Sequence, residues 1–377
     1  MQDVDERTIW VASDAGLEEL CRAARVAGRV GLDTEFERTD TYYARLALVQ
    51  FAIGDAIALV DPLAIEDAAP FRALLEDSAT AKVMHSCSED VEVLGTWCDA
   101  RPQALFDTQI AAAFCGDRFG IGYRDLVSQQ FGVDLDKDET RSDWIARPLT
   151  AAQQRYAALD VAHLLPLYAR QREQLLHDDR LDWVVEECER TVTEVMERPG
   201  PLDAWRNVKR AATLGRRGLA ALQRLAAWRE AEARRLDRPR GWLVRDEQLM
   251  LIAERLPERI DRLAGEGLPH GLIRRFGDDL QALLEEVRSV PEAELPEALP
   301  APLGRNDGER LKALRKVARE RAQALGLAEE LLSRKRMLEP LFLDGASAET
   351  IPQALRGWRW EVLGADLLAA SAAGAPR

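Results

Sequence analysis

Apolar residues recur along this chain with two periods, and the change from one to the other divides it. In the first third, short runs rich in Val, Leu and Ile stand between turn residues. Residues 29–36, 44–53 and 56–60 read as strands, and the Gly54-Asp55 connection predicts an antiparallel hairpin. Residues 81–85 form a fourth strand between helical stretches, so a crossover should bring it in parallel. A further short strand should end at Phe106. From there a 3.6-residue period takes over, clearest over 150–176. Hairpin-linked strands followed by helix-separated ones predict a mixed α/β sheet. Beyond residue 200 the pattern is helical, with Leu219, Leu222, Leu225 and Trp228 at helical spacing.

Two stretches interrupt the periodicity. Glu197-Arg198-Pro199-Gly200-Pro201 should stop the helix that precedes it. Pro291, Pro296, Pro300 and Pro302 predict a stiff linker over 291–302 without regular structure. Three domains are therefore expected, over 1–200, 201–290 and 303–377. The last two resemble each other weakly. Leu225-x-x-Trp228-Arg229 aligns with Leu311-x-x-Leu314-Arg315, and Met250-Leu251 with Met337-Leu338, as in a duplicated helical module.

Composition narrows the classes. With 377 residues, 47% of them hydrophobic, the chain can bury sizeable cores, which excludes a disordered or disulfide-stapled protein. A net charge of −14 argues at first against a polyanion-binding protein. The average hides an asymmetry. Residues 1–200 hold 20 basic and 38 acidic side chains, a balance of −18, whereas 205–255 hold 13 basic and 6 acidic, a balance of +7. The five cysteines are scattered and form no CxxC pair, which speaks for reduced thiols rather than a zinc knuckle. No apolar leader and no apolar run of ~18 residues is found, so a cytoplasmic protein without a membrane span is expected.

Three short motifs carry candidate chemistry. In Asp33-Thr34-Glu35, strand alternation places both carboxylates on one face, where they repel unless a cation lies between them. A solvated pair at a strand end is the alternative. In Tyr156-Ala157-Ala158-Leu159-Asp160, helical spacing places the phenol and the carboxylate on one face of an otherwise apolar segment, the alternative being Tyr156 as ordinary half-buried core and Asp160 as a surface carboxylate. In His85-Ser86-Cys87-Ser88-Glu89-Asp90, a strand runs into a helix with Ser88 as N-cap and Asp90 in the first turn, where the helix dipole favours an acid in any case.

Taken together, these motifs resemble the DEDD exonuclease superfamily, and within it the ribonuclease D family. Ser142-Asp143-Trp144-Ile145-Ala146-Arg147-Pro148-Leu149 and Arg38-x3-Tyr42-Tyr43 are similar to that family as well. The superfamily's histidine-type branch has His five residues before the last Asp. Arg155 stands there in this chain, and Tyr156 one residue later marks the tyrosine-type branch. Residues 205–290 resemble an HRDC domain through Leu225-Ala226-Ala227-Trp228-Arg229 and Asp246-x2-Leu249. Residues 303–377, with Gly357-Trp358-Arg359, resemble a degenerate second copy.

The resemblance implies a ribonuclease H-like α/β domain followed by two helical HRDC-like domains. It implies a 3′→5′ exoribonuclease that uses two divalent cations, Mg²⁺ or Mn²⁺. Asp33, Glu35 and Asp160 would surround one ion, Asp33 would bridge to the other, and Asp90 would hold it. Tyr156 would orient the attacking water. The implied partner is RNA with a free single-stranded 3′ end, such as a tRNA precursor, acted on by a monomer. DNA hydrolysis, or an inert adaptor built on the same fold, are the competing functions.

For the RNA contacts two readings stay open at each residue. Phe36 wedges near the terminal bases or packs in the core. His85 touches substrate or sits buried at a strand end. Arg147 contacts RNA or packs with Trp144 beneath the catalytic helix. Arg216, Arg217, Arg234, Arg235 and Arg240, with Trp242 for stacking, form a phosphate grip or a solvated helix face.

Overall fold

The computed structural model describes residues 4–135, 142–197, 200–299, 305–343 and 351–373. Arg198 and Pro199 of the expected boundary, and Pro300 and Pro302 of the expected linker, lie outside the described residues. The chain forms two compact units. One comprises the described residues of 1–37, 45–197 and 305–377, and the other those of 38–44 and 198–304.

In the first unit six strands form one sheet among the described residues: β1 (Thr8–Val11), β2 (Arg29–Glu37), β3 (Arg45–Ile53), β4 (Ala56–Val60), β5 (Ala81–Met84) and β6 (Leu105–Asp107). Their order is β1-β4-β3-β2-β5-β6. The β2–β3 and β3–β4 pairs are antiparallel, and β5 joins β2 in parallel as its crossover position predicts. β1 escapes the pattern analysis because its four residues are too few for an alternation to show. It pairs in parallel with β4 at the sheet edge.

Eight helices accompany the sheet in chain order. They are α1 (Asp14–Ala27), α2 (Ala69–Leu75), α3 (Ser88–Cys98), α4 (Thr108–Phe114), α5 (Tyr123–Phe131), α6 (Ala151–Ala162), α7 (Leu164–His177) and α8 (Leu181–Met196). The sheet has two covered faces. Phe51 of β3 packs against Phe71 of α2, with ring centroids 5.6 Å apart. On the other face a Cβ at Gly31 would come within 3.2 Å of Leu164 Cβ in α7, so glycine allows the helix its close approach. The single helix expected over 150–176 is two. Pro166 has no N–H for the Ala162 carbonyl, and the chain restarts at His163.

The described residues of 305–377 pack onto this first unit. They contribute α13 (Arg305–Ala324), α14 (Glu330–Ser333), α15 (Lys335–Leu338), α16 (Pro340–Leu343) and α17 (Trp358–Ala373), numbered in chain order after four helices, α9 (Arg216–Leu236), α10 (Arg240–Leu243), α11 (Asp246–Arg255) and α12 (His270–Ser289), of the second unit. Trp358 stacks on Trp183 of α8 at 5.2 Å, and its indole N–H donates to Glu187 Oε1 at 2.9 Å. Arg359 donates through Nη2 to Glu187 Oε2 at 2.6 Å.

The second unit contains α9 (Arg216–Leu236), α10 (Arg240–Leu243), α11 (Asp246–Arg255) and α12 (His270–Ser289). Leu219, Leu222 and Leu225 are buried in its core as their spacing predicts, and Trp228 packs edge-on against Phe276. A Cβ at Gly218 would sit 2.8 Å from the Ala253 carbonyl, so the absence of a side chain lets α9 and α11 touch. The front of the expected linker is not free chain. Glu292–Glu294 form a 3₁₀ turn, and Leu295 is buried in this unit's core.

Candidate active site

β2 extends beyond its partner β5. The ladder between them ends at Gly31–Val83, so Asp33 and Glu35 lie on a stretch of β2 whose β5 side is unpaired. Past β5 the chain turns at Ser86, in the left-handed region with φ 59°, and enters α3. Asp107 holds this turn. Its carboxylate accepts the Ser86 N–H at 3.0 Å and the Cys87 N–H at 2.9 Å, and it caps α4 through the Gln109 N–H at 2.7 Å. Ser88 is the first residue of α3 rather than its N-cap. Cys87 takes the cap position without a side-chain bond. Asp90 falls in the first turn as expected, beside β2, and accepts a short hydrogen bond from the Thr34 hydroxyl.

The third element is α6. A capping box starts it: Thr150 Oγ1 accepts the Gln153 N–H at 3.1 Å, and Gln153 Oε1 accepts the Thr150 N–H at 2.9 Å. Its far end is pinned by Tyr123, which donates to the Leu159 carbonyl at 3.2 Å and accepts the His163 N–H at 3.0 Å. Tyr156 and Asp160 project from this helix one turn apart.

The structure thus brings Asp33, Glu35, Asp90, Tyr156 and Asp160 together from three elements. Burial, then the charges of Asp90, Asp160 and Glu35, pushes the Asp33 carboxyl well above the usual range. Burial and the charges of Asp160 and Asp90 push Glu35 up to about 8. Burial raises Asp160 to about 7, opposed by Arg124 and by the Tyr156 hydrogen bond. Burial raises Asp90 to about 6, opposed by Thr34. The Tyr156 phenol is pushed up by burial and by the same carboxylates.

Among the described residues, none of the four carboxylates has an ion-pair partner. Nor is any group of three or more His, Cys, Asp or Glu side chains drawn in closely enough to hold an ion as it stands. The donor set nevertheless fits a hard divalent cation, because it is all oxygen and no ion pair among the described residues offsets its mutual repulsion.

Two residues of the site escape the sequence reading. Thr34 belongs to the strand face opposite Asp33 by alternation, yet its hydroxyl reaches Asp90 at the unpaired edge. Arg124 opens α5 with no motif to mark it, and its guanidinium lies 5.7 Å from the centre of the Tyr156 ring.

The expected RNA contacts fare differently. All five N–H groups of Arg147 are engaged within the protein. They meet both oxygens of Asp61 and the carbonyls of Trp144, Ala146 and Ala47. Ala47 is the residue skipped where the β2–β3 register shifts between Glu35 and Phe36, so Arg147 satisfies a carbonyl at the bulge. His85 has both ring nitrogens occupied, by Thr108 Oγ1 at 2.8 Å and the Ile121 carbonyl at 3.1 Å. Phe36 is half-buried beside the site.

In the second unit the arginines hold the fold. Arg216 donates to the Leu295 and Pro296 carbonyls, and Arg217 to those of Val287, Arg288 and Val290. Arg234 and Arg240 both bond the Tyr42 hydroxyl and Glu230, and Arg235 pairs with Glu232. Burial alone would raise Glu230, but Arg240, Tyr42 and Arg234 hold it at about 2. Trp242 remains 63% exposed.

Comparison with known proteins agrees with this geometry. A family described as 3′-5′ exonuclease matches residues 8–176, and the HRDC domain family matches residues 218–284. The ribonuclease D of Pseudomonas paraeruginosa is 42% identical over 362 residues, 95% of this chain and 96% of its own length. That of Escherichia coli is 37% identical over 358 residues, covering 94% and 95%. The crystal structure of the Escherichia coli enzyme, described as an exoribonuclease involved in structured RNA processing, superposes with a TM-score of 0.91 at 36% identity. The match covers 97% of this chain and 99% of that one.

Proposed function

The chain belongs to the ribonuclease D family and is a 3′-5′ exoribonuclease, and we propose that it releases nucleoside 5′-monophosphates from single-stranded RNA 3′ ends in tRNA maturation. The observation that supports this reading is the convergence of four carboxylates, Asp90 buried and Asp33, Glu35 and Asp160 half-buried, without ion-pair partners among the described residues, on the unpaired edge of β2. Asp33, Glu35 and Asp160 would hold one divalent cation, and Asp33 with Asp90 a second. Mg²⁺ or Mn²⁺ there would lower the pKa of a water nucleophile and stabilise the departing 3′ oxygen.

The side chains set the rest. With its phenol pushed above the ordinary value, Tyr156 stays protonated at neutral pH. It therefore donates a hydrogen bond that orients the attacking water and does not itself take a proton. Arg124, 5.7 Å from the ring centre, would help hold the ring in place by a cation–π contact. Thr34 holds one Asp90 oxygen, and the other would be available to a cation. Phe36 follows Glu35 on β2, where it would stack near the terminal base. The tRNA precursor as substrate draws on the relative's part in structured RNA processing. The protein would act as a cytoplasmic monomer; no helix among the described residues is long and apolar enough to cross a membrane.

The test is hydrolysis of 3′-labelled tRNA precursor and of single-stranded DNA, with Mg²⁺ or Mn²⁺ and with a chelator. Mononucleotide release from RNA alone, abolished by the chelator and by Asp160→Asn with RNA binding retained, is the expected result. Wild-type turnover by Asp160→Asn would refute the assignment.

A further inference from the structure

Gln50 lies at the centre of the sheet and is 0% exposed, yet neither its side-chain nitrogen nor its oxygen has a hydrogen-bond partner. A buried amide left without partners is costly, and most such groups in folded proteins are satisfied. Three observations point to what this one serves.

First, Gln50 stands directly opposite Asp33 in the β2–β3 ladder. Opposed residues of an antiparallel pair share a face with Cβ atoms about 4.5–5.5 Å apart, a gap that a glutamine side chain spans. Second, that face is the one covered by α7. Gly31 pairs with Ala52 two residues away, and a Cβ at Gly31 would meet Leu164 of α7. Third, the surroundings are otherwise apolar. The partner of Gln50 on β4 is Leu59, its same-face neighbours on β3 are Leu48 and Ala52, and α6 presents buried Ala157, Ala158 and Val161. Of its two directly opposed ladder partners, Asp33 and Leu59, only Asp33 offers a polar side chain; Glu35 lies diagonally beyond it on the same face.

We infer that Gln50 is a positioning residue for Asp33: its side-chain amide donates to the ionised Asp33 carboxylate and fixes the orientation in which that carboxylate receives a divalent cation. The role is not catalytic, since a side chain that is 0% exposed is closed to substrate. It rests on the proposed function, because it presumes that Asp33 is a metal ligand.

Gln50→Met tests it, since methionine keeps the length and approximate volume and removes both polar atoms. Mn²⁺ binding to the full chain, measured by calorimetry without RNA, should weaken about 10–100-fold, the range typical for a lost partner of a metal ligand. The kcat should fall in step while the KM for RNA holds, and the melting temperature should not drop. Should Gln50→Met fold poorly, Gln50→Leu takes its place in the same measurements. Unchanged Mn²⁺ affinity, with or without a lower melting temperature, overturns the inference. Asp33→Asn separates the two ideas. If it loses Mn²⁺ binding and activity while Gln50→Met keeps both, only the role of Gln50 fails. If Asp33→Asn keeps both, the proposed function fails with it.

Discussion

Burial and mutual repulsion act in the same direction on the carboxylates around β2, and the pH response of the chain follows. An unfolded Asp or Glu titrates near ~4. In the folded chain Asp90, Asp160 and Glu35 are raised to about 6, 7 and 8. Between these limits the folded state binds more protons at these sites than the unfolded one, so their contribution to stability is full below pH ~4 and is lost as pH rises through the folded values. In the presence of a chelator, the melting temperature should therefore be higher at pH 5.5 than at pH 8. Added Mg²⁺ should raise it more at pH 8, where the cation meets ionised ligands. A flat profile in scanning calorimetry would contradict this. At the same scale, Tyr156→Phe keeps the ring against Trp144 and Arg124 and removes only the hydroxyl. The kcat should fall about 10²-fold, the effect of a misplaced reactant, with little change in melting temperature. The Asp33/Glu35 and Tyr156/Asp160 pairs were legible in sequence because a strand and a helix place such spacings on one face whatever surrounds them. Arg147 and His85 were not, because Asp61 and the Ile121 carbonyl, which occupy them, lie far away along the chain.

Individual elements hold the site at the precision it needs. Thr150 caps the helix that carries Tyr156 and Asp160, so Thr150→Ala should cost about 1 kcal/mol in urea denaturation. The arginines of the second unit make a contrasting case. Charge counting marks Arg217 as a phosphate ligand, but its guanidinium accepts no such role while it binds the carbonyls that close α12. These are the unsatisfied acceptors of a helix C-terminus, where a cation stabilises by about 1 kcal/mol. Arg217→Ala should lower the urea midpoint by a corresponding amount and leave the salt dependence of RNA binding unchanged. A shallower log–log salt slope in that variant would restore it to the phosphate grip. Net charge along a segment is readable from sequence. Whether each charge faces solvent or a helix end depends on packing.

For the whole molecule, the clearest long-range contact is Glu187, which joins α8 to the chain's last helix by accepting from Trp358 and Arg359. Arg359 is 6% exposed, so Glu187→Ala would strand a buried guanidinium at a cost of about 3–5 kcal/mol. Thermal unfolding should show that loss, and Glu187→Gln, which keeps an acceptor, a smaller one. The amino-acid sequence by itself determined the strand and helix alternation, the paired carboxylates and the phenol, since these depend on local periodicity and residue chemistry. Tertiary structure alone decided that residues 305–377 pack with the first unit, and that Arg216, Arg217, Arg234 and Arg240 of the basic segment bond carbonyls and side chains of the protein itself. Those outcomes depend on which distant carboxylates and carbonyls come within hydrogen-bond reach, and no local pattern carries that information.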